Sequence, residues 1–221
     1  MAFTMTHLII SENVLKIFSN RITNLPQFYL GSIAPDAAHQ RTNYTSEYKK
    51  ASHLITGDEI WGKITDTDTW KNNIIEFLLK NKHYEDRDFI LGYCSHVLTD
   101  LQNTILVWNP FKIKYADELI EISYGNKHHQ ECNKLDIELA QTYENREEFW
   151  FHLANSKSID IPNIIYAAEI DKQKDLILNS WYKDKERQDI SSNKIRTYEN
   201  EMEFIKNATD YIVPIFQEYL L

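Results

Sequence analysis

His96 and Asp100 stand four residues apart in the stretch Asp88-Phe-Ile-Leu-Gly-Tyr-Cys-Ser-His96-Val-Leu-Thr-Asp100, which is mostly apolar or small. At helical spacing they stack on one face, where an imidazole and a carboxylate can grip one metal ion together. The plainer use of the same pair is a core histidine whose ring N–H is satisfied by the carboxylate below it. Gly92, a turn before His96 on that face, leaves room for close approach. Three more residues have similar settings: His7 at a helix start, Asp36 after Ala34-Pro35, and His53 before Leu54-Ile55. Each adjoins apolar sequence, where an unpaired polar group is costly to bury. Imidazole and carboxylate together suit zinc, or less selectively manganese, iron or nickel. A second set follows later in the chain. His128, Cys132 and Asp136 are four apart, His129 lies beside their face, and Glu131 is three residues from His128. The alternative there is a solvated face with an ion pair to Lys127 or Lys134.

The elements that must position these residues read as helices. Apolar residues recur at helical spacing from Leu8 to Phe18, with Thr4 or Thr6 available as the cap. Asn24-Leu25-Pro26 breaks the chain, and Pro35 places Asp36 in a fixed bend or at the opening of a short helix. Asp66-Thr-Asp-Thr-Trp70 is an N-cap cluster for an amphipathic helix through Leu79. The central helix is predicted over about 85–104. Another runs to a glycine stop at Gly125, and a further one carries His128 to Asp136. Helices over 149–153, 161–181 and 194–221 complete the reading, with Pro214 inside the last. The expected fold is an all-α, single-domain, multi-helix bundle over residues 1–221. Such bundles build metal sites from inward side chains of several helices.

Composition narrows the function. The chain has 221 residues and only five Gly and five Pro, so long helices are favoured over many short strands. Its formal charge of −9, without a dense basic cluster, argues against binding a nucleic-acid duplex. A phosphate-bearing substrate would need a bound cation to draw it in. Two cysteines, Cys94 and Cys132, make no disulfide framework. Neither a signal peptide nor a transmembrane run is visible, so the expected compartment is the cytoplasm. Tyr29, Tyr93 and Trp61 are candidates to wall a cleft near the metal. The apolar C-terminus, Tyr211 to Leu221, is a candidate to dock on the core, on lipid or on a second subunit in a homodimer. His39, His83 and His152 have no partner pattern and read as structural or surface residues.

With these residues in view, the chain resembles the zinc-dependent phospholipase C family, all-helical hydrolases that share a fold with the P1-type nucleases. The likeness is carried by Thr6-His7-Leu8, by Phe28-Tyr-Leu-Gly-Ser-Ile-Ala-Pro-Asp36, by Ser52-His53-Leu54, and by Phe89-Ile-Leu-Gly-Tyr-Cys-Ser-His96-Val-Leu-Thr-Asp100. The resemblance implies an intracellular bacterial branch and a cluster of one to three zinc ions held by His7, Asp36, His53, His96 and Asp100. Asp100 would bridge ions, and Asp36 would be both ligand and catalytic base. Secreted members carry a histidine six residues beyond the bridging aspartate, where this chain has Leu106. A second site would therefore have to be rebuilt from His128, His129, Glu131 and Asp136. The implied activity is metal-dependent hydrolysis of a small-molecule or lipid phosphoester. The alternatives are a metal-binding protein of the same fold without turnover, and a metallohydrolase of another ester or an amide.

Overall fold

Few glycines and prolines interrupt the chain, and the computed structural model, which describes residues 2–117 and 122–220, is built from helices. They are α1 (Thr4–Ile17), α2 (Leu25–Gly31), a 3-10 helix (Ala34–Gln40), α3 (Ser46–Ser52), α4 (Thr67–Lys80) and α5 (Arg87–Asn103). Then come a π-helical turn (Thr104–Trp108), α6 (Asn109–Lys114), α7 (Ile122–Thr142) and α8 (Arg146–Ala154). The chain closes with α9 (Ala167–Leu176), a second π-helical turn (Ile177–Trp181) and α10 (Tyr198–Leu220). Among the described residues there is no strand, and Ile161 and Ile165 form one isolated antiparallel bridge. No described helix is long and apolar enough to cross a membrane.

α5 is the axis of the core. Every residue from Asp88 to Asn103 is buried, and α1, α2, α4 and α10 pack around it. Its crossing with α2 is made by two facing glycines. A Cβ on Gly92 would lie 1.9 Å from the Phe28 carbonyl oxygen, and one on Gly31 would lie 2.1 Å from that of Phe89. Only glycine on both helices lets the backbones approach this closely. Asp88 fixes the entry to α2, its Oδ2 accepting from the Thr23 and Asn24 N–H groups at 2.8 and 2.6 Å. At its far end the 3-10 helix is tied to α9 by Arg41 on Glu169 and by Gln40 on Gln173 (2.9 Å).

Several local expectations are corrected. α1 begins at Thr4 behind Phe3, with no side-chain cap from Thr4 or Thr6. Thr6 instead donates to Glu201 of α10 at 2.6 Å, a tertiary partner that outcompetes the cap. Gly125 lies inside α7 rather than ending a helix, and residues 118–121, part of the helix expected to stop there, lie outside the described residues. The last helix starts at Tyr198, because the N–H groups of residues 194–196 converge on the Glu131 carboxylate. Helix α9 starts at Ala167, the Ile161–Ile165 bridge closing a turn where the helix was expected. The Asp66 cap stands as expected, accepting from the Thr69 N–H at 3.0 Å.

Candidate metal site

Four separate segments deliver the residues singled out in the first half of the chain to one place. His7 lies one turn into α1 and is buried. Asp36 lies on the 3-10 helix, and His53 caps the C-terminus of α3. His96 and Asp100 lie on α5. His53 Nε2 is 3.3 Å from Asp100 Oδ2 and 3.5 Å from Asp36 Oδ1. His96 Nε2 is 3.9 Å from Asp100 Oδ2 and 4.0 Å from Asp36 Oδ2, and His7 Nε2 is 3.6 Å from Asp100 Oδ1. Two overlapping trios, His7–His96–Asp100 and Asp36–His53–His96, are each close enough for a shared ion. Donors about 2.0–2.2 Å from a tetrahedral ion are about 3.3–3.6 Å apart, close to the spacings seen.

The surroundings aim these atoms inward. His96 Nδ1 donates to the Ser32 carbonyl at 2.7 Å, a contact that the glycine crossing of α2 and α5 makes possible. His53 Nδ1 donates to the Lys49 carbonyl at 3.0 Å. A carbonyl can only accept, so both rings carry a proton on Nδ1, and in the neutral ring Nε2 is the atom left to face the cage. This is the outer bond that metal-ligating histidines ordinarily make. The His53 carbonyl accepts from Trp70 Nε1 at 2.7 Å, and that of Ser52 accepts from the Tyr93 hydroxyl. His7 stacks on His96 with ring centroids 3.6 Å apart.

What the cage lacks is a set of hydrogen bonds. Both His7 nitrogens, His53 Nε2, His96 Nε2 and Asp100 Oδ2 are buried with no hydrogen-bond partner. Orphaned buried polar atoms are rare and costly, and their gathering in two overlapping trios, with one donor atom from each residue, fits a cation. Asp100 Oδ1 accepts from the Ala2 backbone N–H at 2.8 Å. Electrostatics keep His7, His96, Asp36 and Asp100 in ligating form, whereas His53 is pushed toward its protonated form by the two carboxylates. Burial, with His96 nearby, lowers the pKa of His7 to about 3, and burial also lowers that of His96. Burial works to raise Asp36, yet Lys49 and His53 hold it well below the usual carboxylate range. For Asp100, too, the neighbouring histidines, His53 foremost, overcome burial and hold the pKa down. Burial works to lower His53, but Asp100 and Asp36 overcome it and raise that ring.

The second set is not gathered in this way. Glu131 Oε2 accepts from three backbone N–H groups, those of Lys194, Ile195 and Arg196, at 2.7–3.0 Å. Asp136 accepts from the Met5 N–H (2.8 Å) and the Tyr182 hydroxyl (2.5 Å). His128 packs against the rings of Trp108 and Phe111, and burial lowers its pKa to about 4. His129 meets Phe3. No ligand cluster forms from these four among the described residues. Of the expected cleft walls, Tyr29 and Tyr93 are core residues, whereas Trp61 does lie edge-on to His53 at 4.8 Å.

Sequence reading missed Lys49 and His39. Lys49 is buried with its Nζ 3.4 Å from Asp36 Oδ1, 3.0 Å from His39 Nε2 and 4.4 Å above the Trp61 ring. Its one sequence signal was its place four residues before His53, on the same helical face. Asp36 and His39 both line a cavity of about 450 Å³ bounded also by Phe3, Asp136, Trp181 and Tyr182. Of the five cage residues, Asp36 is the one that also reaches this cavity.

A model of the zinc dependent phospholipase C family matches residues 6–102, a span that contains all five cage residues and none of the His128–Asp136 set. No curated protein and no solved structure matches the chain significantly.

Proposed function

We propose that the chain, which matches the zinc dependent phospholipase C family over residues 6–102, is a metal-dependent hydrolase of a phosphoester. The observation that carries the reading is the convergence of unsatisfied buried ring nitrogens and a carboxylate oxygen from α1, α3 and α5. His7, His53, His96, Asp36 and Asp100 are the residues that would hold the ion. A zinc-like dication held there supplies Lewis acidity toward a phosphoryl oxygen and a water acidic enough to ionise near neutral pH.

The chain's own residues do the rest. His53 and His96, locked by their Nδ1 bonds, keep the cage from collapsing onto its carboxylates. Asp36, at the boundary between cage and cavity, orients the attacking water and takes its proton on a carboxylate oxygen. Burial by Trp61 and the α5 core excludes bulk water from the opposite side. Phe3 and Trp181 line the same cavity as Asp36 and would wall a phosphoester held there.

Elemental analysis of protein purified without added metal, paired with hydrolysis of bis(p-nitrophenyl) phosphate, tests this. Stoichiometric zinc is expected. Asp36→Asn should retain metal while losing about 10²–10⁴-fold in turnover, the usual contribution of a general base. Protein that neither carries nor takes up zinc, or an Asp36→Asn variant with full turnover, would overturn it. The commitment of Glu131 and Asp136 to other partners favours, as a second reading, a metal-stabilised protein without turnover. Zinc binding without hydrolysis of any phosphoester would select it.

A further inference from the structure

The 3-10 helix Ala34–Gln40 brings a residue to the cavity that the cage does not use. In 3-10 geometry side chains three apart eclipse one another, so Asp36 and His39 project from the same side. Both line the cavity of about 450 Å³. Lys49 joins them from behind, its Nζ 3.4 Å from Asp36 Oδ1 and 3.0 Å from His39 Nε2. The ammonium is held there by burial, with its side chain 4 % exposed, and by the Trp61 ring 4.4 Å away.

An ammonium has three donors and no acceptor. His39 Nε2 must therefore accept from Lys49, which fixes a neutral ring with its proton on Nδ1. Tyr44 packs on that ring at 4.6 Å and holds its orientation. The result is a preset N–H donor on the residue next to the cage along the cavity wall. Charge points the same way. Asp36 and Asp100 carry two negative charges, so a dication together with Lys49 leaves the loaded centre with one positive charge in excess. An anion entering the cavity neutralises that excess.

We infer that His39, set in its tautomer by Lys49, is a substrate-binding residue whose Nδ1–H holds a non-bridging oxygen of a phosphoryl group lying against Asp36. Lys49 is the positioning residue. It aligns Asp36 and His39 together and does not ligate the metal. The inference rests on the phosphoester reading above for its biological meaning, while its binding test is independent of turnover.

The test is calorimetric titration of the zinc-loaded protein with inorganic phosphate, with zinc content measured on every variant. Because His39 is exposed, His39→Ala should fold normally and keep its zinc. Its phosphate affinity should fall about tenfold, the scale of one hydrogen bond to a charged group. His39→Asn, whose amide N–H stands near the place of Nδ1–H, should recover most of that loss. Lys49→Met should weaken phosphate by a similar factor at unchanged zinc content, and Lys49→Arg should restore part of it. Unchanged phosphate affinity in His39→Ala, no phosphate binding by the wild type, or zinc loss in Lys49→Met would overturn the inference. His39-dependent phosphate binding in a protein that turns over no phosphoester would sink the hydrolase reading and leave this one standing. Turnover that depends on Asp36 with phosphate binding indifferent to His39 would do the reverse.

Discussion

On α5, His96 and Asp100 direct Nε2 and Oδ2 into a buried space where neither finds a hydrogen bond. On α7, Glu131 and Asp136 occupy a histidine-bearing face of similar spacing, yet each carboxylate is committed to backbone or hydroxyl donors. Helical spacing makes both faces possible ligand sets, and the difference lies in what comes to meet them. α5 is met by His53, whose Nδ1 is already bonded, and by His7, whose two ring nitrogens have no hydrogen-bond partner. α7 is met by backbone N–H groups, from the stretch before α10 and from the start of α1. Spacing proposes a site, and the donors packed around it decide whether a cation is still wanted.

The largest expected effect breaks the two faces apart by paired substitution. His53→Ala should lower zinc affinity by more than the 10–100-fold that loss of an outer partner typically costs. Glu131→Ala should leave zinc content unchanged and cost about 2–3 kcal/mol of stability, because three N–H groups lose their acceptor. Zinc titration and urea unfolding on both variants check this, and metal loss in Glu131→Ala would erase the distinction.

Next in size is the crossing that aims His96. Gly92→Ala puts a methyl group into the Phe28 carbonyl. A cost of about 3 kcal/mol or more is expected from such overpacking. About tenfold weaker zinc binding should accompany it, as the Ser32 carbonyl moves off His96 Nδ1. Unfolding midpoints and zinc titration again read the result.

The smallest effect concerns pH. Burial pushes the Asp136 carboxyl from its ordinary 3.8 up to about 7, against the pull of Tyr182 and Met5. The native state thus keeps a proton that the unfolded chain releases, so this group's contribution to stability is full at low pH and falls as pH rises from about 4 to 7. Asp136→Asn, uncharged throughout, should flatten that slope by about 1 kcal/mol or more across the window. Denaturant midpoints at pH 4.5 and 7.5 measure it. A slope unchanged in the variant would place the dependence elsewhere. The same variant should keep its zinc, which sharpens the separation of α7 from the cage.

The amino-acid sequence by itself determined the helical class and the central helix to within two residues at its N-terminus, and it singled out five residues that the structure brings together. These were legible because a polar side chain inside an apolar helical run stands out locally, and four-residue spacing fixes which of them share a face. Gly92 was legible as a point of close approach for the same reason. Only the tertiary structure decided that Gly31 answers Gly92, that Ser32 and Lys49 lend carbonyls to His96 and His53, and that Lys49 reaches Asp36 and His39. It also decided that Glu131 and Asp136 serve the fold and that Tyr29 and Tyr93 lie in the core. The Ser32–His96 bond spans 64 residues and the Met5–Asp136 bond spans 131. A polar group's local sequence shows that it needs a partner. Which partner it gets depends on which distant segment packing brings within 3 Å.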